Sequence, residues 1–511
     1  MDSACTGQGQ EESMSVTGVK HTIKVVAALL CLLIGHGGGA ETAQAVEFKA
    51  RGAWQMTFYG TDNTFNKNST EDKFQVYQRF RVRLDAIASE SLSGVLVFKI
   101  NQQWGTDLGP NKRKDIGGAL GADGQGVLLR QAYMQWSPPD SRLKLRMGLQ
   151  SLALPAFFEG GSPIYDGIGT GITASYKVND TLGLTGFWIR AENDNSLAEF
   201  GDPAGYRDNW DIFGLTLPVT GEGFRMTPWA AWSYIGKNTK HLGNINGMYG
   251  PNLQGFYFRP EVTAHTPAFY QQNASRDEEF IMGGVATEVT YFDPWKFTLD
   301  FHYGQVAGKY KEELDRAGWT LAGSAEYAMG WGTPGVMAWY STGDDDNLKN
   351  GSERMPAANP DWRVSSFGFS GGYIINGGPG ATIFNFYPAG MWAVGAYIRD
   401  LSFVNGIKHR LRFFYGQGTN SPEMAKYMVG TRPGGVSLFG RKAPAGDGSV
   451  YLTTRDHYFE VNLDSRWKLY ENFNIDLELG YIRLNADKDL WKLKDWKSDA
   501  VRAGINFIYT F

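Results

Sequence analysis

Cysteine is nearly missing from this 511-residue chain: Cys5 and Cys31 are its only two. Both fall in an amino-terminal segment that reads as removable. The remainder, from Val46 on, has none. That excludes disulfide staples, thiolate metal sites and cysteine nucleophiles there. Histidine is scarce as well, with 7 residues and no His-Glu-x-x-His pair, so a zinc hydrolase has no ligands at the needed spacing. An excess of positive charge is missing: the net charge is −4, and no nucleic-acid partner is expected. Long hydrophobic runs are missing too. No stretch approaches the roughly 18 apolar residues of a membrane-spanning helix. That absence excludes helical spans and leaves crossing strands open, because half of each such strand faces away from lipid.

The first 45 residues have the order of a cleaved secretory signal peptide, and domain 1–45 is assigned so. Lys20, His21 and Lys24 form a basic region, Val25 to Ile34 a short apolar core, and Ala43-Gln44-Ala45 a small-x-small cleavage site. Met14 is an alternative start to Met1. The leader holds four acids and two bases, so the remainder carries 47 bases against 49 acids, a net charge of −2.

What the chain does contain is alternation. In its last twelve residues Val501, Ala503, Ile505, Phe507, Tyr509 and Phe511 share one parity. Arg502, Gly504, Asn506 and Thr510 share the other, with Ile508 the apolar exception. Period two means a strand with two unlike faces. The same texture fills VEFKARGAWQMTFYG, FQVYQRFRVRLDAIA, RLKLRMGLQ, WKFTLDFHYG, DHYFEVNLDSRW and NFNIDLELGY. Segments of about ten residues suit strands that cross a bilayer at a tilt. Short turns such as Pro138-Pro139-Asp140 and Asp293-Pro294 alternate with long connections at 105–126, 151–168, 237–280, 343–390 and 417–453. Trp104, Trp136, Trp295, Trp331 and Trp467 fall near strand ends, as an aromatic girdle requires. The expected fold is all-β: a transmembrane antiparallel β-barrel over 46–511 with about 18 strands, or 16 if weak strands near 318–342 merge. The apolar face would meet lipid and the polar face water inside, and closure would leave no unpaired edge in hydrocarbon.

The polar face of the early strands is basic. Arg79, Arg81 and Arg83 make one ladder, Arg142, Lys144 and Arg146 another, with Lys99 between them. Like charges stacked two residues apart on one face repel at about 7 Å and need water or anions. After the fifth strand, SLALPAFFEGGSPIYDGIG brings Glu159 and Asp166. If loop 151–168 folds inward, these acids face the ladders and set up a transverse field. The late strands place Asp456, Glu460, Asp464, Asp476 and Glu478 inside. Acidic and basic walls then nearly cancel, so weak ion selectivity of open sign is expected. Arg410 and Arg412 add a further basic patch. A sugar channel would line its path with aromatic rings; Tyr77, Tyr133 and Tyr458 are candidates for the inner face but make no continuous track.

Patterns for enzymes are thin. Gly368-Phe369-Ser370-Gly371-Gly372 matches the hydrolase nucleophile pattern, which needs a strand-to-helix turn, but it lies in or beside a long loop. Gly169 to Ala174 matches a dinucleotide pattern with no helix after it. Asp344-Asp345-Asp346 lacks EF-hand spacing and reads as a solvated loop. No catalytic residue, cofactor or metal is expected.

On the residues VEFKARGAWQMTFYG, YQRFRVRLDAIASESLSGVLVFKI, LLRQAYMQW and the terminal Phe511, the chain resembles bacterial general-diffusion porins of the trimeric kind. More narrowly, it is similar to outer membrane homotrimeric porins of sulfate-reducing bacteria. The resemblance implies a homotrimer in outer-membrane lipid that passes small hydrophilic solutes and ions. It also implies a carboxyl-terminal signal, Phe507, Tyr509 and Phe511, read by the barrel assembly machinery. A substrate-selective channel for sugars or oxyanions and a plugged barrel serving as adhesin or scaffold are the alternative readings.

Overall fold

The computed structural model describes residues 45–511 except 63–64, 66, 68–73, 107–117, 121–125, 160, 194–208, 237–277, 309–314, 348–349, 375–382, 385 and 432–449. The leader, with Cys5 and Cys31, lies outside the described residues. Strands run β1 (Glu47–Asp62), β2 (Gln75–Ile87), β3 (Leu92–Gln103), β4 (Leu128–Trp136), β5 (Leu143–Ala153), β6 (Asp166–Lys177), β7 (Gly183–Asn193), β8 (Asn209–Thr216), β9 (Val219–Gly221) and β10 (Phe224–Ile235). They continue as β11 (Glu278–Val289), β12 (Trp295–Gly308), β13 (Arg316–Tyr327), β14 (Thr333–Ser341), β15 (Met391–Leu401), β16 (Ile407–Gly418), β17 (His457–Tyr470), β18 (Phe473–Asn485) and β19 (Asp499–Thr510). A helix, α1 (Pro422–Thr431), follows β16.

Apart from β8 and β9, which do not pair with each other, each strand pairs antiparallel with its sequence neighbours, and β19 pairs with β1 from Ala53↔Thr510 to Asp62↔Val501, which closes the sheet. β8 and β9 both pair with β10 and are two halves of one stave, interrupted at Leu217-Pro218. The barrel therefore has 18 staves. The segments at 316–327 and 333–341 stay separate strands, so the merger that would give 16 does not occur. Short turns at 88–91, 137–142, 178–182, 222–223, 290–294, 328–332, 402–406 and 471–472 share one end with Glu47 and Phe511. The long connections, including 342–390 and 419–456, share the other.

Burial follows the alternation in β19: Arg502, Gly504, Asn506 and Ile508 are buried, while Val501, Ala503 and Tyr509 are exposed. The exposed side of the barrel is apolar, with Trp54, Leu96, Leu129, Met134, Trp232, Ile281, Val336, Val394 and Phe413 on it. Trp104, Trp295, Trp331 and Trp467 are exposed near strand ends, as a girdle requires.

One sector departs from the polar-inside expectation. From β7 to β12 the inner face carries an apolar cluster, with Phe187, Ile189, Trp210, Ile212, Trp229, Phe280, Met282 and Val306 buried, beside buried polar groups such as Ser233, Asp300 and His302. An apolar patch on the inner face needs a second dry partner. Leu154, Ile164 and Tyr165 from the β5–β6 loop and Met355 and Ala358 from the β14–β15 loop supply it. A larger cluster forms where Trp362, Val364, Phe367, Phe369 and Phe384 of the β14–β15 loop meet Trp339, Phe414, Tyr458 and Ile482 of the wall. These loops pack against the inner face of the wall.

Candidate functional site

The β14–β15 loop, residues 342–390, is docked on the acidic wall by its backbone. Glu460 accepts bonds from the Gly368 amide (2.9 Å), the Ser365 hydroxyl (2.9 Å) and Asn462 (2.8 Å). The Ser366 amide donates to Asn462 (3.1 Å). Glu478 accepts from the amides of Tyr373 and Ile374 and from Arg502 (2.9 Å). Arg412 pairs with Asp464, and Arg466 is bidentate to Asp476 at 2.7 and 3.0 Å. Buried carboxylates are tolerated only when paired and hydrogen-bonded, and this loop and these arginines meet that need. The late-strand acids do lie inside, yet they are consumed by docking and do not line open water. Asp456 stands in the loop before β17, where Trp491 and Thr453 donate to it.

The Gly-x-Ser-x-Gly stretch has its explanation here. Added Cβ atoms on Gly368 and Gly372 would run into Glu460 and Glu478, and Ser370 takes a left-handed φ of 58°. The glycines let loop backbone reach wall carboxylates, which is not a strand-to-helix nucleophile turn.

The shorter β5–β6 loop spans 154–165, since Ser151–Ala153 belong to β5 and Asp166–Ile168 to β6. It crosses the lumen. The amides of Phe157 and Phe158 donate to Asp300 on β12 (2.8 and 2.7 Å), and Phe157 lies under Arg225 of β10 at 4.7 Å. Glu159 pairs with Arg410 on β16. The expectation that Glu159 faces the early arginine ladders is corrected: it reaches the opposite wall, because the loop extends across the barrel. Phe158 stacks on Trp362 at 5.2 Å, and the Asp361 amide donates to the Ser162 carbonyl at 3.0 Å, so the two inward loops are knitted together.

On the early wall Ile374 of the β14–β15 loop packs with Tyr59 and Tyr77 of β1 and β2. Arg79 donates to Asn101 at 2.9 Å. Arg81 sits directly across from Lys99 in the β2–β3 register, a like-charge pair that destabilises a sheet unless water or an anion screens it. Arg130 joins them through a β-bulge. Leu129 pairs with Phe98 and Gln131 with Val97, so Arg130 is the extra residue on β4, and a bulge re-aims its side chain. Arg79, Arg81, Lys99 and Arg130 lie within electrostatic reach of one another. Among the described residues none of the four has a carboxylate at ion-pair distance. Arg363, on the β14–β15 loop, lies within reach of Arg79 and Arg130. It carries its own acid, Asp361, at 2.5 Å. Asp166 lies within reach of Asp361 and Arg363, so it, unlike Glu159, does neighbour the cationic group.

The remaining sequence candidates stand apart. Arg83 is paired with Asp85 at 2.7 Å. Arg142 sits at a short turn and donates to the Val178 carbonyl at 2.7 Å. Arg146 bonds Gln135 (3.1 Å) and lies over the Tyr133 ring at 5.3 Å. Lys144 is near Arg146. Arg410 and Arg412 are both in ion pairs and form no open basic patch. Arg130, Asp361 and Arg363 were not singled out from sequence. The trace of Arg130 is the doubled Leu128-Leu129, which breaks the alternation as a bulge does.

A closed antiparallel sheet with an apolar exterior and long loops turned inward defines the class: a transmembrane β-barrel with the architecture of outer-membrane porins. No family model matches the chain, and no curated protein matches it. Solved structures do. Acinetobacter baumannii OccAB3 is similar over 91% of this chain and 100% of its own, at 10% identity and a TM-score of 0.50. Pseudomonas aeruginosa OccK11 (OpdR) is similar over 91% and 96%, at 13% identity and a TM-score of 0.47. Pseudomonas aeruginosa OpdQ is similar over 91% and 98%, at 12% identity and 0.48. At such identities the likeness concerns the fold.

Proposed function

We propose that this chain is a passive outer-membrane diffusion channel whose lumen favours small anionic solutes. An expected balance of acidic and basic walls argued for weak selectivity. The observation that argues otherwise is the unequal state of the two walls. On the late side Glu460, Asp464, Asp476 and Glu478 are buried, and each is held by an arginine or by loop amides. Toward the short-turn end Glu288 holds Arg225 and Lys296, and Glu326 holds Arg399. On the early side Arg79, Arg81, Lys99 and Arg130 face the lumen without a paired carboxylate among the described residues. Among the described residues a solute therefore meets uncompensated positive charge on the early side, where low-dielectric walls focus the field. Catalysis plays no part in this reading. Assembly as a homotrimer, and removal of residues 1–45 on export, belong to the same proposal.

The test is single-channel recording of the purified protein in planar bilayers under a potassium chloride gradient. The expected result is stable steps in groups of three, with a reversal potential of the sign set by chloride. A potential of the potassium sign overturns the anion preference. Silence from correctly folded protein overturns the channel and favours a plugged scaffold, in which the two inward loops close the lumen.

A further inference from the structure

We propose that Asp361 is a tethered counter-ion that occupies the cationic site of the empty pore and sets its selectivity by competing with permeant anions for Arg363. The inference rests on the anion-channel reading above and assigns a specificity-determining residue within it.

Three observations carry it. First, the Asp361–Arg363 pair is held rigidly. The Asp361 amide is bonded to the Ser162 carbonyl and the Trp362 amide to the Phe386 carbonyl, at 3.0 and 2.9 Å. Trp362 between them is fully buried against Phe158 and Trp339. Second, the pair is accessible. The Arg363 side chain is 51% exposed and lies over the Phe386 ring at 5.3 Å, while Asp361 is 22% exposed. Third, the pair sits where cations are in excess. Arg130 is within reach of both Asp361 and Arg363, and Arg79 of Arg363. Asp361 is the carboxylate in contact there, because Asp166 has no ion pair with Arg363 among the described residues.

An anion entering this group must share or displace the Asp361 carboxylate from the guanidinium. No bond is made or broken. A partly exposed ion pair is weak enough to exchange on passage, so Asp361 weakens the site and keeps it from trapping its solute. A passage site must bind well enough to admit and weakly enough to release.

A double-mutant cycle tests the idea, because it separates a residue acting through a partner from one acting by its own field. Asp361→Asn, Arg363→Gln and the double variant of the full protein are recorded in a potassium chloride gradient. Inorganic phosphate is then added as a competing anion. The expected result is about a threefold rise in the anion-to-cation permeability ratio for Asp361→Asn. Phosphate should also block this variant at a lower concentration. Both effects should vanish in the Arg363→Gln background. An equal rise in both backgrounds overturns the proposal, since Asp361 then acts through its field alone. No rise in either also overturns it. Should Asp361→Asn fail to insert, Asp361→Ser makes the same removal. A wild-type potential of the potassium sign sinks the anion reading separately, and the coupling between the two residues is still measured.

Discussion

At Gly372 a side chain of one hydrogen lets the β14–β15 loop lie against the Glu478 carboxylate. Its neighbours Tyr373 and Ile374 turn their amides onto the same group. A methyl at this position would collide with Glu478, which is itself fixed by Arg502 at 2.9 Å. Neither partner can step aside cheaply, since the carboxylate is buried and would lose its donors. Gly372→Ala is expected to cost about 1–3 kcal/mol through overpacking. The loop should lift from the wall, so conductance should rise and become noisier while the thermal unfolding midpoint drops. Gly330→Ala is the control, because nothing lies within 4 Å of a Cβ there. An unaltered conductance and midpoint for Gly372→Ala would mean that this contact does not hold the loop.

The segment joining β18 to β19, residues 486–498, is an external element whose order depends on a carboxylate. The amides of Leu490 and Asp489 donate to Asp487 at 3.0 and 3.1 Å, and Arg455 approaches at 3.3 Å. The Leu490 amide bond is the main cause holding the Asp487 carboxyl below its ordinary value, with Arg455 adding to it. A depressed folded value means stability that is present above the unfolded aspartate value of about 3.9 and lost as pH falls through the folded value. Asp487→Asn should therefore lower the unfolding midpoint at pH 7. The difference from wild type should disappear once pH has fallen through the folded value and the carboxyl is protonated in both states. A difference that persists in acid would assign the effect to lost packing. Elements of this kind mark the limit of what sequence reveals. The staves are legible because lipid on one side and water on the other impose strict alternation. The site is legible only in part. Arg79, Arg81 and Lys99 follow the alternation, whereas Arg130 reaches the lumen through a bulge that shifts parity. Asp361 and Arg363 sit in a loop, where no period relates a residue to the wall it faces. The acidic strands were assigned to the inside, but the loop amides that neutralise them carry no side-chain signature.

For the whole molecule the demand is closure, and Phe511 stands at the seam. Its amide and carbonyl pair with Gly52 at 3.1 and 2.8 Å, one step beyond the last ladder pair of β19. Its ring stacks on Phe80 of β2 at 5.9 Å, across β1. The ring passes over Gly52, where any Cβ would meet it at 2.7 Å. The resemblance implies that Phe507, Tyr509 and Phe511 are read by the assembly machinery, and the seam gives Phe511 a second, purely physical task. The two are separable. Phe511→Ala keeps the backbone pairing and loses a half-exposed ring, a cost of about 1 kcal/mol. Deleting Phe511 also removes its two backbone bonds to Gly52, and a backbone group left unsatisfied away from water costs about 1–3 kcal/mol. Refolding into pure lipid vesicles, which hold no assembly machinery, should leave Phe511→Ala close to wild type in urea resistance and the deletion well below it. If the two variants are equally impaired in cells yet differ in vesicles, the ring serves recognition and the backbone serves closure. If both behave as wild type in vesicles, the seam is held by the ladder from Ala53↔Thr510 onward and Phe511 matters only to the machinery.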